Sequence, residues 1–368
     1  MSGQTVETRQ SWLSNSNEKN KTNNMKKIFF SLFAIAAIAA CTKSEVAYEQ
    51  TDEIGFNVVS GKMTKAAVEG TEYPTGLNMY VFAMTDNNGV TSTNPDYLRN
   101  AEFKYSSTAT ENEDNQIAAN GTKNLWAGAT EPYYWPNVTP LYFAGVSKSG
   151  NVNNTVVPTY SNGVITIDGY EPGTGTTQLG NNDLMWFPKT PRTYTKADKY
   201  VDVDMKHACS WITVKIGGDA YTAGKYTVTD VHIEGLTIKG KAELGSTAVW
   251  TLPTSGEYTD KNYSVYADAT GTALPSTPAV YENNNSTIVL PNQIPGDLSI
   301  KYHFTSQAGT KIEEIVEGSL KFDGDKVWEP GVHYTYTVSI TATQILIQPD
   351  VTDWTTSPEE GGHGVTVQ

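Results

Sequence analysis

An all-β protein is what the sequence predicts, arranged as two tandem β-sandwich domains, and three observations carry that reading. The 368 residues hold 48 Thr against 16 Leu, with 21 Tyr and 31 Gly. β-Branched and aromatic residues fit pleated strands, whereas helices draw on Leu, Ala, Glu and Lys. Strict apolar/polar alternation recurs in the second half of the chain. Clusters of Gly, Asn, Asp and Pro separate the apolar segments at short intervals, a spacing of sandwiches rather than βαβ units. The length suits two domains of ordinary size. A helical bundle is excluded, and a net charge of −14 with pI near 4.8 argues against nucleic acid.

Residues 1–24 are polar and Asn-rich, and they read as sequence translated upstream of a true start at Met25. Met25-Lys26-Lys27 then precedes an apolar run over residues 28–40, interrupted by Ser31 and ending at Cys41. A basic n-region, a short apolar h-region and small residues before the cut make residues 25–40 a secretory signal, because a spanning helix needs about 20 apolar residues. Ile38-Ala39-Ala40-Cys41 resembles a bacterial lipobox, which implies lipidation of the Cys41 thiol and cleavage just before it. Loss of residues 1–40 removes five Lys/Arg and two Asp/Glu, leaving 21 against 38 and a net charge of −17. Cys209 is then the second cysteine of an exported chain, so no disulfide framework is available, and its apolar context makes it a core residue. His207, two residues away, is a weak hint of a base.

A polar tether over residues 42–53 leads into the first strand, where Ile54, Phe56 and Val58 share one face. Residues 80–84 form an apolar run consistent with a strand buried on both faces, and it ends in Asp86-Asn87-Asn88-Gly89, a hairpin signal. Leu141-Tyr142-Phe143-Ala144-Gly145-Val146 is another core strand. Residues 151–178 read as surface hairpins or excursions, with Val164-Ile165-Thr166-Ile167 as their apolar part. Pro188-Lys189-Thr190-Pro191-Arg192 and the polar residues to Lys199 form the best linker, so the two sandwiches are divided near residue 198, as 66–197 and 198–368.

Beyond it, Val201, Val203 and Met205 oppose Asp202, Asp204 and Lys206, and Ile212, Val214 and Ile216 oppose Trp211, Thr213 and Lys215. Near the end Val332, Tyr334, Tyr336, Val338, Ile340 and Ala342 face one way, with Thr335, Thr337, Ser339, Thr341 and Thr343 opposite. Such strands put one face in a core and the other in water.

No catalytic pattern accompanies this architecture. The five His (207, 232, 303, 333 and 363) form neither HExxH nor a zinc-spaced Cys/His pair. GxSxG, GxxxxGK[ST] and a helix-opening GxGxxG are missing. Asp323-Gly324-Asp325 and Asp86-Asn87-Asn88-Gly89 read as turns, since neither continues into a 12-residue calcium loop. Acidic residues are numerous enough for a glycosidase pair, but surface acids are the default in so acidic a chain. Tyr133-Tyr134-Trp135 could stack on sugars or cover a sheet end. No enzyme and no cofactor are expected.

Read together, the segments resemble the fimbrillin family, the pilin precursors of lipoprotein-derived pili in gut and oral anaerobes. The residues that carry the likeness run across nearly the whole mature chain. They are the lipobox at Cys41, the strand over residues 54–59, and the basic site Thr64-Lys65-Ala66. Tyr133-Tyr134-Trp135-Pro136 leading to Leu141-Tyr142-Phe143-Ala144 follows, then Asp183-Leu184-Met185, and then Val203-Asp204-Met205-Lys206-His207-Ala208 with the strand after it. Leu290-Pro291-Asn292-Gln293, Trp328-Glu329-Pro330-Gly331-Val332-His333-Tyr334-Thr335-Tyr336 and Val351-Thr352-Asp353-Trp354 complete the set.

The resemblance implies transthyretin-like sandwiches and an outer-membrane lipoprotein precursor that ends in a cell-surface fimbrium. It implies that a trypsin-like protease cuts between Lys65 and Ala66, with Lys62 a competing site, and removes residues 41–65 with their lipid. Where family members often carry Arg, Lys65 favours a protease that accepts Lys. A strand from the C-terminal region of another subunit then fills the groove left by Ile54, Phe56 and Val58. The donor candidates are Gln344-Ile345-Leu346-Ile347, with Ile345 and Ile347 as its candidate residues, and the terminal Val365-Thr366-Val367. The plainer reading of both is a closing strand of the second sandwich, and it is favoured for the first because Trp354 follows like a capping core residue. Burying Ile54, Phe56, Val58 and, as a fourth, Val59 at ~1.5–3 kcal/mol each gives roughly 6–12 kcal/mol, which rivals the ~5–15 kcal/mol stability of a domain. The expected role is a structural pilin supporting adhesion. The alternative is a glycan-binding surface lipoprotein that keeps its anchor at Cys41.

Overall fold

The computed structural model describes residues 52–60, 78–87, 90–91, 94–105, 125–136, 140–147, 156–172, 183–195, 200–281, 287–305, 309–321, 326–341, 345–353 and 363–364. Among them there is no helix, and the chain is an all-β, sandwich-type protein. Cys41, Lys65, Ala66, Trp354, Val365 and Val367 lie outside the described residues.

The strands in chain order are β1 (Gly55–Ser60), β2 (Met79–Asn87), β3 (Val90–Thr91), β4 (Leu98–Tyr105), β5 (Leu125–Gly128) and β6 (Leu141–Ser147). β7 (Thr159–Ser161), β8 (Val164–Tyr170), β9 (Met185–Arg192), β10 (Tyr200–His207), β11 (Ser210–Gly218) and β12 (Tyr226–Leu236) follow. Next come β13 (Gly240–Leu244), β14 (Ala248–Thr251), β15 (Lys261–Ala273), β16 (Ala279–Val280) and β17 (Thr287–Val289). The last are β18 (Asp297–Thr305), β19 (Lys311–Ser319), β20 (Val332–Ile340), β21 (Ile345–Asp353) and β22 (His363–Gly364).

The first sheet runs β3-β2-β4-β5-β1-β10-β9-β6, and β6 pairs back onto β2. Seven strands therefore close on one another, and closure removes free edges. Inward side chains fill this ring: Phe56 and Val58 from β1, Val81 from β2, Phe103 from β4, Trp126 from β5, Phe143 from β6, Phe187 from β9 and Val203 from β10. β10 lies beyond residue 198, so strands on both sides of that position share this core.

The opposite face of β2, β6 and β9 is also apolar, as the continuous run over residues 80–84 requires. Phe82, Met84, Ala144, Val146 and Trp186 pack beneath the four-stranded sheet β14-β13-β8-β7. This corrects the reading of residues 151–178 as surface excursions. β7 and β8 do form a hairpin, but Tyr160, Ile165, Ile167 and Tyr170 are buried, and β8 pairs with β13 from the other half of the chain.

The second sandwich packs β16-β11-β20-β21-β22, with β17 also on β11, against β15-β12-β18-β19. Between them lies a core that includes Ile212, Val214, Val231, Ile300, Trp328, Tyr336 and Val338.

Two further corrections concern what alternation and proline signify. Residues 188–192 belong to β9 and pair with β6, rather than forming a linker. β9 pairs with β10 only through Met185 and Trp186, so Pro188 and Pro191 sit where that ladder has ended and a missing N–H costs little. On β11 the side chains opposite the core are not open to water: Trp211 and Thr213 are buried. Alternation shows which residues share a face, not whether the second face is covered.

Candidate functional site

β1 is held on both edges. It runs parallel to β10 from Gly55↔Tyr200 to Ser60↔Met205, and antiparallel to β5 at Phe56↔Trp126 and Asn57↔Leu125. Ile54 and Phe56 are fully buried and Val58 almost so. Phe56 is the hub: its ring meets Phe103 edge-on at 4.8 Å, Phe143 edge-on at 5.4 Å and Phe187 tilted at 6.1 Å. On the outer face Asn57 Nδ2 donates to Asp202 Oδ1 at 2.7 Å, which ties the register of β1 to β10. The three residues expected to form the first strand's inward face are thus brought together in one core.

The start of β1 is laced to the segment before β6. Ile54 N donates to Tyr133 O at 2.6 Å, Trp135 N donates to Asp52 O at 2.9 Å, and Glu53 bridges Tyr134. Tyr194 Oη donates to Asp52 Oδ2. Asp52 is only 3% exposed, so it does not belong to a polar tether. Hydropathy carries no signal for this residue, because a buried carboxylate is set by its partners and not by its neighbours in sequence.

Tyr133-Tyr134-Trp135 covers the sheet end. Trp135 is 4% exposed and packs on Phe143 and Tyr194, while Tyr133 packs on Phe103. Burial first, then the Glu131 and Glu102 carboxylates, push the Tyr133 phenol above its ordinary range. No free aromatic platform for a sugar remains in this segment's tryptophan.

Of the donor candidates, Ile345 and Ile347 lie on β21, which pairs with β20 along nine residues, from Val332↔Asp353 to Ile340↔Ile345. Both isoleucines are half-buried against the second core. β22 adds to the far edge of β21 at Asp350↔Gly364 and Val351↔His363.

The remaining motif segments converge on one junction. The buried Asp183 and His207 meet at 2.5 Å (Oδ2 to Nδ1), and Ala208 N donates to Leu184 O at 2.8 Å. Ser210 Oγ donates to Glu329 O, Gly331 N to Cys209 O, and Asn292 N to Trp328 O, each at 2.8 Å. Trp250 Nε1 donates to Ala208 O at 2.6 Å. These contacts knit strands of several sheets, and Asp183, His207 and Cys209 are all buried among them. Cys209 is fully buried; burial first, then the Asp183 carboxylate, hold its thiol well above the usual range, so it stays protonated. Among the described residues no group of three or more His, Cys, Asp or Glu could hold a metal ion. Among the described residues, the first strand seated in its groove, paired on both edges with its inward face buried, is the most fully organised of these features.

A profile described as fimbrillin-like matches residues 49–354. A fimbrial protein from Bacteroides vulgatus superposes with a TM-score of 0.51 at 15% identity, covering 80% of this chain and 99% of its own. A protein from Bacteroides ovatus, proposed to act in cell adhesion, gives 0.51 at 14% identity, covering 84% and 99%. Both likenesses concern the fold. No curated protein matches the chain.

Proposed function

The chain belongs to the fimbrillin-like family, and from that premise we propose that it is a pilin whose first strand is cut away and replaced by a strand of another subunit. The family is one of structural fimbrial subunits at the cell surface. In this reading the precursor is lipidated at Cys41 and carried to the outer membrane. A trypsin-like protease then cuts between Lys65 and Ala66, and 303 residues enter the fimbrium.

One observation supports this most: β1 is a stave of the closed ring, paired on both edges and with its inward side chains buried. Removing Ile54, Phe56 and Val58 from water accounts for about 5–9 kcal/mol as an upper estimate. Ladder bonds on two edges add on the order of 1 kcal/mol each. An emptied groove would lose stability comparable to that of a whole domain, about 5–15 kcal/mol, and would take up a strand of matching period.

Two features favour the tail over β21 as the donor. β21 is already engaged along its length with β20, and Pro349 would interrupt a second ladder. The terminal Gly364-Val365-Thr366-Val367 repeats the order of Gly55-Phe56-Asn57-Val58, with His363 in the place of Ile54. Treating the full chain with a Lys-specific protease tests the reading. It predicts a stable core that begins at Ala66 and forms multimers resistant to sodium dodecyl sulfate; a core that unfolds or stays monomeric contradicts it.

A further inference from the structure

At its second inward position the groove is lined with rings. Phe56 is fully buried between its register partners, Val201 on β10 and Trp126 on β5. Its ring faces Phe103 and Phe143 edge-on, at 81° and 89°, and Phe187 at 41°. Two of these walls pack on further rings outside β1: Tyr133 lies 5.4 Å from Phe103, and Trp135 stands edge-on 5.6 Å from Phe143. The third depends on a missing side chain. Gly145 is paired with Phe187 across β6 and β9, and a Cβ there would lie 2.2 Å from Phe187 Cε1. The Phe187 ring takes the space that any other residue at 145 would fill. All three walls belong to β4, β6 and β9, so they remain in the chain when β1 leaves.

We infer that Phe103, Phe143 and Phe187 form a specificity pocket that selects a replacing strand with phenylalanine at its second inward position. The inference rests on the strand-replacement reading. Edge-to-face ring pairs add to the gain from burial alone, and only a flat ring makes them on several walls at once. A smaller aliphatic side chain leaves a void among walls that relax only in part. Tryptophan overfills the space, and tyrosine brings a hydroxyl into apolar surroundings. The occupant is therefore a pilin strand of the pattern apolar-x-Phe-x-apolar, as β1 itself is with Ile54, Phe56 and Val58. When the chain's own tail is aligned on Gly55 and Gly364, Val365 takes the place of Phe56 and Val367 that of Val58. The tail of a second copy thus underfills the pocket. A subunit whose donor strand brings phenylalanine there is the better partner.

The test uses the full chain, cleaved between Lys65 and Ala66, and labelled peptides offered in excess as competitors of the leaving strand. Residues 51–60 are compared with Phe56→Leu and with a swapped peptide, Phe56→Val plus Val58→Phe, whose composition is that of the native one. The Phe56→Leu peptide should be captured about tenfold more weakly than the native, and the swapped peptide about a hundredfold. In a peptide of residues 360–368, Val365→Phe should strengthen capture about tenfold, whereas Val367→Phe should not strengthen it. In a Phe103→Leu chain the penalty for Phe56→Leu should shrink several-fold, because one ring pair is already gone, while capture of the Phe56→Leu peptide shows that its groove is intact. The swapped and tail peptides use the unaltered chain and decide the matter even where that variant does not fold. Equal capture of the native and swapped peptides, or equal gains from Val365→Phe and Val367→Phe, overturns the pocket and leaves strand replacement standing. Capture of no peptide, the native one included, overturns strand replacement and the pocket with it.

Discussion

Phe56 meets Phe103 edge to face, ring centroids 4.8 Å apart and planes at 81°. A residue of the first strand thus stands at the centre of the ring's aromatic core, touching side chains contributed by β4, β6 and β9. The strand is integral to the fold that the proposed maturation asks it to leave.

Replacing Phe56 with Ala should lower the stability of the uncut chain by about 3–5 kcal/mol, the usual cost of truncating a buried aromatic. Asn57→Ala on the outer face removes one exposed hydrogen bond and should cost about 1 kcal/mol or less. Urea unfolding of the two variants side by side checks the contrast. Similar losses would mean that β1 is not anchored by its inward face.

The segment over the start of β1 depends on a close approach at Gly128. A Cβ there would lie 1.9 Å from Glu131 O, a backbone atom, so the backbone itself would have to shift. Gly128→Ala should therefore push residues 131–135 off Asp52 and Ile54 and cost roughly 1–3 kcal/mol. Hydrogen exchange at the Ile54 and Trp135 amides, which bond across this contact, should speed up in the variant.

Stability should fall with acid through His333. Its ring stacks on Trp211, 3.6 Å away at 6°, and its Nε2 lies 2.8 Å from Thr213 Oγ1. Burial first, then the Lys215 charge, lower its pKa from 6.5 to about 3. The folded state keeps the ring neutral while the unfolded chain protonates it, so this contribution is complete above the unfolded value. It is lost as pH falls from about 6.5 towards about 3. Between pH 7 and 5 the loss should be about 2 kcal/mol. Urea midpoints at the two values, with His333→Gln as the control, measure it; an unchanged pH dependence in the control contradicts the assignment.

Cys209 should resist alkylation in the folded chain, since its thiol is buried and held protonated. Reaction with a thiol reagent should appear only as the chain unfolds, at the midpoint of the urea transition.

Much of this was legible in the sequence because it is local. The inward face of β1 and the alternation of β10, whose buried and exposed residues change places at every step from Val201 to His207, follow from period two alone. Long-range covering was not legible. Trp211 and Ile165 read as outward or surface residues, because the sheet that buries them combines β8 with β13 and β14 across seventy or more positions. β12 breaks its register against β15 at three points, which erases the alternation that would have marked its faces. Prolines in β9 mimic a linker until its pairing with β6 is known. The end of the groove was hidden for another reason: Asp52 is polar by composition and buried by its bond to Tyr194, 142 positions away.

The most direct test of strand replacement is the N-terminus of the protein in filaments recovered from the cell surface. The account predicts that it begins at Ala66, with residues 41–65 gone. Filaments built from chains that still carry β1 and a lipidated Cys41 would contradict it.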